Sequence, residues 1–252
     1  MAWYHDGESE TLNFILAGNY YSGYGLLQAS LAAHPKVVCH GEVFHVENSV
    51  RQAEHEQYFG NAGKFADHFI PTNLSAEQYL NNKIFDNTLH GEKAVGVKLD
   101  YEALRNYDLW EYVDQKSRRG DFCVVHVRRN PVACYICRQQ ALTGSTSDSD
   151  RLMHVDAADL TAFCREHVSS AGKLDSFCPD RVVVSYHELL LNFRDVLERL
   201  LGFLELDFSP ACIPNSRRVN RLGVKHRVFN FQDLRNKVPI DVREFIDDPM
   251  LY

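Results

Sequence analysis

Apolar and polar positions alternate along the chain in two patterns, one that predicts buried strands and one that predicts helices. Short apolar runs that predict strands lie at residues 12–18, 36–39, 93–99, 122–127 and 181–186. Apolar residues at helical spacing follow these runs, at residues 26–34, 101–114, 132–142, 157–171 and 190–204. Strands that alternate with helices predict an α/β fold, in which helices cover both faces of a mainly parallel sheet.

One edge of the predicted sheet collects the segments with candidate chemistry. Ligands of parallel α/β sheets bind beyond the carboxyl ends of the strands. This rule places three loops, at residues 19–25, 40–45 and 128–131, on the same rim as Lys98. The polar, aromatic and weakly periodic stretch 47–91 is predicted to be an insertion of short helices that shapes the site.

The loop at residues 19–25 has the features of an anion-binding turn, and we call it the anion loop. It leads from a predicted strand directly into a helix, whose first turn offers unpaired N–H groups and a positive dipole end. Gly18, Gly23 and Gly25 would let the backbone turn and approach a ligand closely. No Gly-Lys-Ser/Thr sequence closes the loop, so it is not a nucleoside-triphosphate P-loop. An ordinary strand-to-helix turn is the alternative.

Composition and charge restrict the class of protein. At 252 residues and 45% hydrophobic content, the chain predicts one large domain. A net charge of −7 and a pI near 5.9 argue against a general nucleic-acid binder, so local basic residues must hold any anionic ligand. No apolar run reaches the roughly 20 residues that span a bilayer, and the polar N-terminus predicts no signal peptide. Seven scattered cysteines predict reduced thiols in a cytoplasmic protein. Cys134 and Cys137 lack the second pair that a zinc site needs.

Three segments, in this order and spacing, carry a resemblance to a known family. The first is the sequence YSGYG at residues 21–25, followed by HP at 34–35 and GE at 41–42. The second is VHVRRNP at residues 125–131, and the third is VSYHEL at 184–189, ahead of a Leu-rich helix. Together they resemble sulfotransferases that use 3′-phosphoadenosine-5′-phosphosulfate (PAPS). The chain is most similar to the bacterial carbohydrate and lipid branch and to tyrosylprotein sulfotransferases. The resemblance implies a P-loop-like three-layer α/β/α fold with a mainly parallel sheet.

The resemblance also implies how the nucleotide is held. The 5′-phosphosulfate would bind the residues of the first motif, Tyr21, Ser22, Gly23, Tyr24, Gly25 and Leu26. Arg129 matches the arginine that holds the 3′-phosphate, with a lesser role for Arg128, and Cys137 stands where the family has a serine. A basic segment within residues 213–238, which includes Arg227, is similar to the segment that closes over the nucleotide. The alternatives are a solvated helix cap for the two consecutive arginines and a solvated face for the basic segment.

The anion loop departs from the family pattern at the point where the chemistry needs a cation. Tyr21 stands where the family usually has Arg or Lys, and Tyr24 and Gly25 stand where it has Ser or Thr. Sulfuryl transfer leaves charge on the phosphate leaving group, so a nearby cation is expected. Lys98 can compensate, because a Gly-x-Lys-Leu strand end lies near the sulfate in parts of the family. The alternative is a lysine that closes a strand at the surface.

The acceptor hydroxyl needs a general base, and Glu42 is the first candidate. His45 is a rival, His40 is a weaker one, and helix capping is the alternative role for Glu42. The predicted reaction transfers a sulfuryl group from PAPS to a hydroxyl of a carbohydrate, lipid or other small molecule, with no metal required. One alternative is a sulfotransferase-fold protein with a degenerate loop that is weakly active or non-catalytic. The other is a P-loop-type small-molecule kinase, which the missing Gly-Lys-Ser/Thr sequence disfavours. The acceptor and the oligomeric state stay open.

Overall fold

Five parallel strands form the centre of the fold. The computed structural model describes residues 11–44, 74–86, 91–142, 152–214 and 226–248. The strands are β1 (Leu12–Gly18), β2 (Val37–Glu42), β3 (Ala94–Asp100), β4 (Cys123–Arg128) and β5 (Arg181–Ser185). Their order across the sheet is β2-β3-β1-β4-β5, and every pairing is parallel. The central strand is therefore β1, which leads into the anion loop.

Helices connect the strands in the described ranges. They are α1 (Tyr24–Ala32), α2 (Ala76–Tyr79), α3 (Tyr101–Asn106), α4 (Trp110–Arg119), α5 (Pro131–Leu142), α6 (Ala157–Phe177), α7 (Tyr186–Leu191), α8 (Phe193–Phe203), α9 (Phe231–Lys237) and α10 (Ile240–Ile246). A π-helical segment, Leu80–Phe85, continues α2, and a 3₁₀ turn spans Pro210–Cys212.

Apolar side chains of the strands pack against helices on both faces of the sheet. On one face, Leu16 and Val125 belong to a buried cluster with residues of α1 and α8. On the other face, Ile15 and Val124 pack with residues of α2, α3, α4 and α6. Every residue of β3 is buried, as expected for a strand covered on both sides. The predicted three-layer α/β/α arrangement is thus confirmed, and a third cluster joins α5 and α6 to α9 and α10.

Several element boundaries differ from those predicted, because local backbone geometry interrupts or extends the apolar pattern. The helix predicted at 101–114 is two helices, α3 and α4, separated by Asp108 with φ 53°. The strand predicted at 181–186 ends at Ser185, whose hydroxyl accepts from the backbone N–H of Glu188 at 3.1 Å and so begins α7. Asn192 then separates α7 from α8. α6 extends to Phe177, and β2 extends to Glu42. Most of the predicted insertion at 47–91 lies outside the described residues.

Candidate functional site

Three segments meet at the carboxyl edge of the sheet, namely the anion loop, the end of β3 and the turn that follows β4. Gly18, the last residue of β1, is in register with Asp100 of β3 on one side and with Val127 of β4 on the other. The anion loop therefore leaves the sheet between the end of β3 and the turn that follows β4. We call that turn, residues 128–130, the arginine turn.

Glycine is required at one position of the anion loop. Tyr21 and Gly23 both have left-handed backbone conformations, with φ 62° and 93°. A Cβ atom added to Gly23 would lie 2.4 Å from Cδ2 of Tyr186, the first residue of α7. The loop backbone therefore packs directly against the Tyr186 ring, which no side chain at position 23 would permit. Ser22, which belongs to the same loop, is fully buried.

Arg129 links the arginine turn to the anion loop. Its Nη1 donates to the carbonyl oxygen of Tyr21 at 2.6 Å, and its guanidinium lies 4.0 Å from the centre of the Tyr186 ring. Burial acts to lower the pKa of Arg129, but the neighbouring Cys137 and Tyr186 outweigh this effect, so the pKa is raised above its ordinary value. The charge is thus held next to the loop and next to the thiol of α5.

Arg227 approaches the same thiol from the C-terminal part of the chain. Only 3% of the residue is exposed. Its Nη1 donates to Oε1 of Gln140 at 3.0 Å and lies 3.7 Å from Sγ of Cys137. Its Nε and Nη2 atoms are buried and have no hydrogen-bond partner within the part of the chain that the structure describes. Two guanidinium groups therefore flank Cys137, and one of them retains unused donors.

Backbone pairing fixes Arg227 in this position. Its carbonyl oxygen accepts from the N–H of Met153 at 2.9 Å, and the N–H of Phe229 donates to the Met153 carbonyl at 2.8 Å. The Asn230 side chain then exchanges two hydrogen bonds with the backbone of Val155, at 3.0 and 2.8 Å. These contacts hold residues 227–230 against the segment before α6. Residues 215–225 of the predicted closing segment lie outside the described part.

A pocket of about 530 Å³ opens beside the arginine turn. Its walls are the arginine turn and the start of α7, including Ser185, Tyr186 and His187. Asn130 also lines the pocket, where its Oδ1 accepts from the N–H of Val132 at 2.9 Å and its Nδ2 donates to the Phe245 carbonyl at 2.9 Å. The pocket is large enough for a nucleoside-sized ligand.

Lys98 is not the surface lysine that the sequence allowed. Only 4% of the residue is exposed, and its ammonium lies 4.4 Å from the centre of the Tyr24 ring. Tyr24 is the first residue of α1, so the cation lies beneath the helix start that follows the anion loop. The face of an aromatic ring attracts an ammonium group, so the Tyr24 ring helps to hold Lys98 close to the loop.

Of the two candidate bases, only Glu42 lies in the part of the chain that the structure describes. Glu42 is the last residue of β2 and is in register with Lys98, beyond an irregularity in the pairing between His40 and Glu42. It therefore ends a strand on the site rim. His45 lies outside the described residues, so the choice between the two stays a prediction.

Asp100 lies on the site rim but is not among the predicted site residues. This carboxylate is buried at the end of β3 and accepts from the N–H of Ala103 at 2.6 Å, which caps α3. Its position two residues after Lys98, at the end of an apolar run, was the available signal. Arg128, by contrast, forms an ion pair with Asp175, its side chain is 44% exposed, and its lesser role at the 3′-phosphate stays a prediction.

Three further observations concern metal ligands, cysteines and membrane-spanning helices. The described ranges contain no group of three or more His, Cys, Asp or Glu side chains that could hold a metal. All seven cysteines are free thiols. Among the described helices, none is both long enough and apolar enough to cross a membrane.

The model of the sulfotransferase family matches residues 18–210, which include the last residue of β1, the anion loop and β2–β5. The chain belongs to the sulfotransferase family. This sulfotransferase is similar in fold to the sulfotransferase domain of the olefin synthase from Synechococcus PCC 7002. That comparison has 16% identity and a TM-score of 0.50, and it covers 98% of this chain and 97% of that one.

Two further solved structures have lower scores. A sulfotransferase from Alicyclobacillus acidocaldarius has 16% identity and a TM-score of 0.48, over 93% and 95% of the two chains. Mouse sulfotransferase SULT7A1, solved in complex with PAP, has 13% identity and a TM-score of 0.42, over 82% of this chain and 62% of that one. No curated protein matches the sequence. The predicted family and fold class are confirmed.

Proposed function

We propose that this protein transfers a sulfuryl group from PAPS to the hydroxyl of a small-molecule acceptor. The observation that carries the proposal is the arrangement around Cys137. Arg129 and Arg227 flank this thiol, and Arg227 is a buried cation with two nitrogens that have no partner in the described chain. A buried cation with unused donors favours an anionic ligand, and a phosphate accepts several such hydrogen bonds at once.

The two ends of the nucleotide have different requirements. The 3′-phosphate would lie between Arg129 and Arg227, with the weak S–H donor of Cys137 in the place of a serine hydroxyl. The 5′-phosphosulfate would lie against the anion loop, at the N-terminus of α1. The Arg129 hydrogen bond to the Tyr21 carbonyl joins these two subsites.

The transfer step then follows from the charges on the rim. The acceptor oxygen attacks sulfur in line, a new S–O bond forms, and the bond to the phosphate oxygen breaks. The acceptor proton passes to Glu42, or to His45 if that residue is the base. Negative charge develops on the departing phosphate, where the buried ammonium of Lys98 would stabilise it. The product nucleotide is 3′,5′-ADP.

Calorimetric titration tests the nucleotide part of the proposal. The native protein is expected to bind 3′,5′-ADP and to discriminate against 5′-AMP. Arg129→Ala should weaken 3′,5′-ADP binding by about 2–3 kcal/mol, which is roughly 30- to 150-fold, with the fold intact. Arg194→Ala, which removes an exposed arginine paired with Glu198, is the matched control and should change nothing. Equal affinity of the native protein for the two nucleotides would exclude the assignment.

A weakly active or non-catalytic relative is the second candidate, because Tyr21 supplies no cation at neutral pH. Backbone N–H groups of the loop would still bind the anion, but only groups that act more strongly in the transition state accelerate the step. Tyr21→Arg should therefore raise turnover at least about tenfold, equal to some 1.4 kcal/mol of barrier. Tight binding of ATP with magnesium, and none of 3′,5′-ADP, would instead favour the kinase alternative.

A further inference from the structure

A connected set of polar side chains lies beneath the rim and has no role in the proposed reaction. It begins in the anion loop, where Nδ2 of Asn19 donates to Nδ1 of His167 on α6 at 2.7 Å. The His167 ring then packs edge-on against the Tyr101 ring, with centroids 5.6 Å apart. Both rings are buried.

The set continues from Tyr101 to the arginine turn. The Tyr101 hydroxyl lies 2.6 Å from Nε2 of His126, and Nδ1 of His126 lies 3.0 Å from Oδ1 of Asp175. Asp175 forms an ion pair with Arg128, the first residue of the arginine turn. We call Asn19, His167, Tyr101, His126 and Asp175 the buried polar chain. It extends from one predicted phosphate subsite to the other.

The Asn19 amide requires His167 to be neutral, and burial makes His126 neutral as well. Since the Asn19 amide donates, Nδ1 of His167 must accept. Since the Asp175 carboxylate accepts, Nδ1 of His126 donates and its Nε2 accepts from the Tyr101 hydroxyl. Burial lowers the pKa of His167 to about 4 and that of His126 to about 3, in agreement with these directions. The three hydrogen bonds of the set therefore each have one donor and one acceptor, and the ring contact of His167 with Tyr101 connects them.

We propose that His167 is a positioning residue that holds the anion loop, through Asn19, at the distance from the arginine turn that a 3′,5′-bisphosphate nucleotide requires. The inference rests on the proposed function. A ligand with two phosphates gains affinity from its second phosphate only if the two subsites are already held at the distance that separates the two phosphates. The Asn19–His167 hydrogen bond is a side-chain link from the anion loop to α6, which packs on one face of the sheet.

A purely structural role would not need polar groups here. Replacement of a buried polar set by apolar side chains of similar shape is often neutral or stabilising. Hydrogen bonds with defined partners instead favour one arrangement of the elements that they join. The elements joined here are the two that would hold the two phosphates.

Titration of three variants with 3′,5′-ADP and with 3′-AMP distinguishes this role from general packing. His167→Phe removes the acceptor and retains a ring that packs against Tyr101. It should weaken 3′,5′-ADP binding about tenfold and change the affinity for 3′-AMP less than twofold, because 3′-AMP uses only the Arg129 side. His167→Asn, which restores an acceptor near Nδ1, should recover most of the lost affinity. Phe163→Leu, a neighbour that packs on the His167 ring, is the apolar control and should alter neither affinity.

The outcomes separate the inference from the proposed function. If the native protein does not prefer 3′,5′-ADP over 5′-AMP, the proposed function fails first. If it does, and His167→Phe weakens both ligands equally or neither, the positioning role is overturned while the proposed function stands. If His167→Phe does not fold, Asn19→Ala removes the same bond from its half-buried end, and the same pattern is expected.

Discussion

Replacement of Arg227 by methionine should make the nucleotide-free protein more stable and the nucleotide complex much weaker. Arg227 is 3% exposed, and its Nε and Nη2 have no partner in the described chain. Burial of a charge without an opposite charge is unfavourable, and an unsatisfied buried donor adds to that cost. Methionine has a similar length, no charge and a flexible side chain that fills irregular space.

The magnitude follows from the groups that Arg227 contacts. Removal of two unsatisfied nitrogens should stabilise the folded protein by about 1–3 kcal/mol each. Loss of the hydrogen bond to Gln140 should destabilise it by about 1 kcal/mol. We therefore expect the free energy of unfolding to rise by about 1–5 kcal/mol. At this chain length, that corresponds to a rise in Tm of roughly 2–4 °C per kcal/mol. Loss of charge-assisted bonds to a phosphate should weaken 3′,5′-ADP binding roughly 10- to 150-fold.

The assay is urea unfolding in a chloride buffer that contains no phosphate or sulfate, because either anion could stabilise native Arg227. The same titration is repeated with one fixed concentration of 3′,5′-ADP, whose stabilisation of the folded protein grows with the logarithm of its concentration divided by Kd. The native protein should gain stability from the nucleotide, and Arg227→Met should gain little. Arg235→Met is the matched control, because it removes an exposed arginine whose pair with Asp247 contributes at most about 1 kcal/mol.

One result would refute the reasoning. If nucleotide-free Arg227→Met is clearly less stable than the native protein, Arg227 is a structural residue whose charge is already satisfied. The anion site at Cys137 would then lose its main support. A stabilised variant that still binds 3′,5′-ADP normally would move the 3′-phosphate away from Arg227.

Three more predictions follow from the same site. Lys98→Met should lower turnover at least about a hundredfold and leave 3′,5′-ADP affinity within a few fold, and an unchanged rate would remove Lys98 from the reaction. Glu42→Gln should reduce turnover roughly a hundredfold without loss of nucleotide affinity, whereas the same effect from His45→Gln alone would make His45 the base. Acid should destabilise the fold, because the pKa values of His126 and His167 are lowered by burial, to about 3 and about 4. Their stability contribution is complete above pH about 6.5 and falls below it by up to about 1.4 kcal/mol per pH unit for each histidine. Urea unfolding from pH 7 to 5 should show that slope, and His167→Phe should reduce it by about half.

The charges around the two histidines set the sign of that last prediction. Arg128 and Arg181 oppose a proton on His126, while Asp175 lies within hydrogen-bond distance of its Nδ1. The unfolded chain binds protons more readily in this range, so a fall in pH favours it. A flat stability profile between pH 7 and 5 would mean that both histidines are protonated without cost in the folded protein.

The sequence alone was enough to predict the sheet and its rim. The run CVVHV in β4 and the run AVGV that begins β3 show no alternation of apolar and polar positions, which is typical of strands covered on both sides. Helix ends were less predictable. Asp108 interrupts an otherwise continuous pattern with a left-handed backbone, a conformation that asparagine or glycine would have signalled more clearly.

Sequence determined which residue types were available for phosphate chemistry, because loop order and motif spacing are local properties. Only the tertiary structure decided which of them meet. Arg227 is far from Cys137 along the chain, and a backbone pairing with Met153 places it there. Lys98 is buried against Tyr24 because β3 lies beside the central strand, a neighbour relation that no local pattern carries. The buried polar chain depends on the same principle, since its members come from the anion loop, β4, α3 and α6. The sequence determines which side chains are present, but the packing of the sheet and its helices determines how far apart they lie.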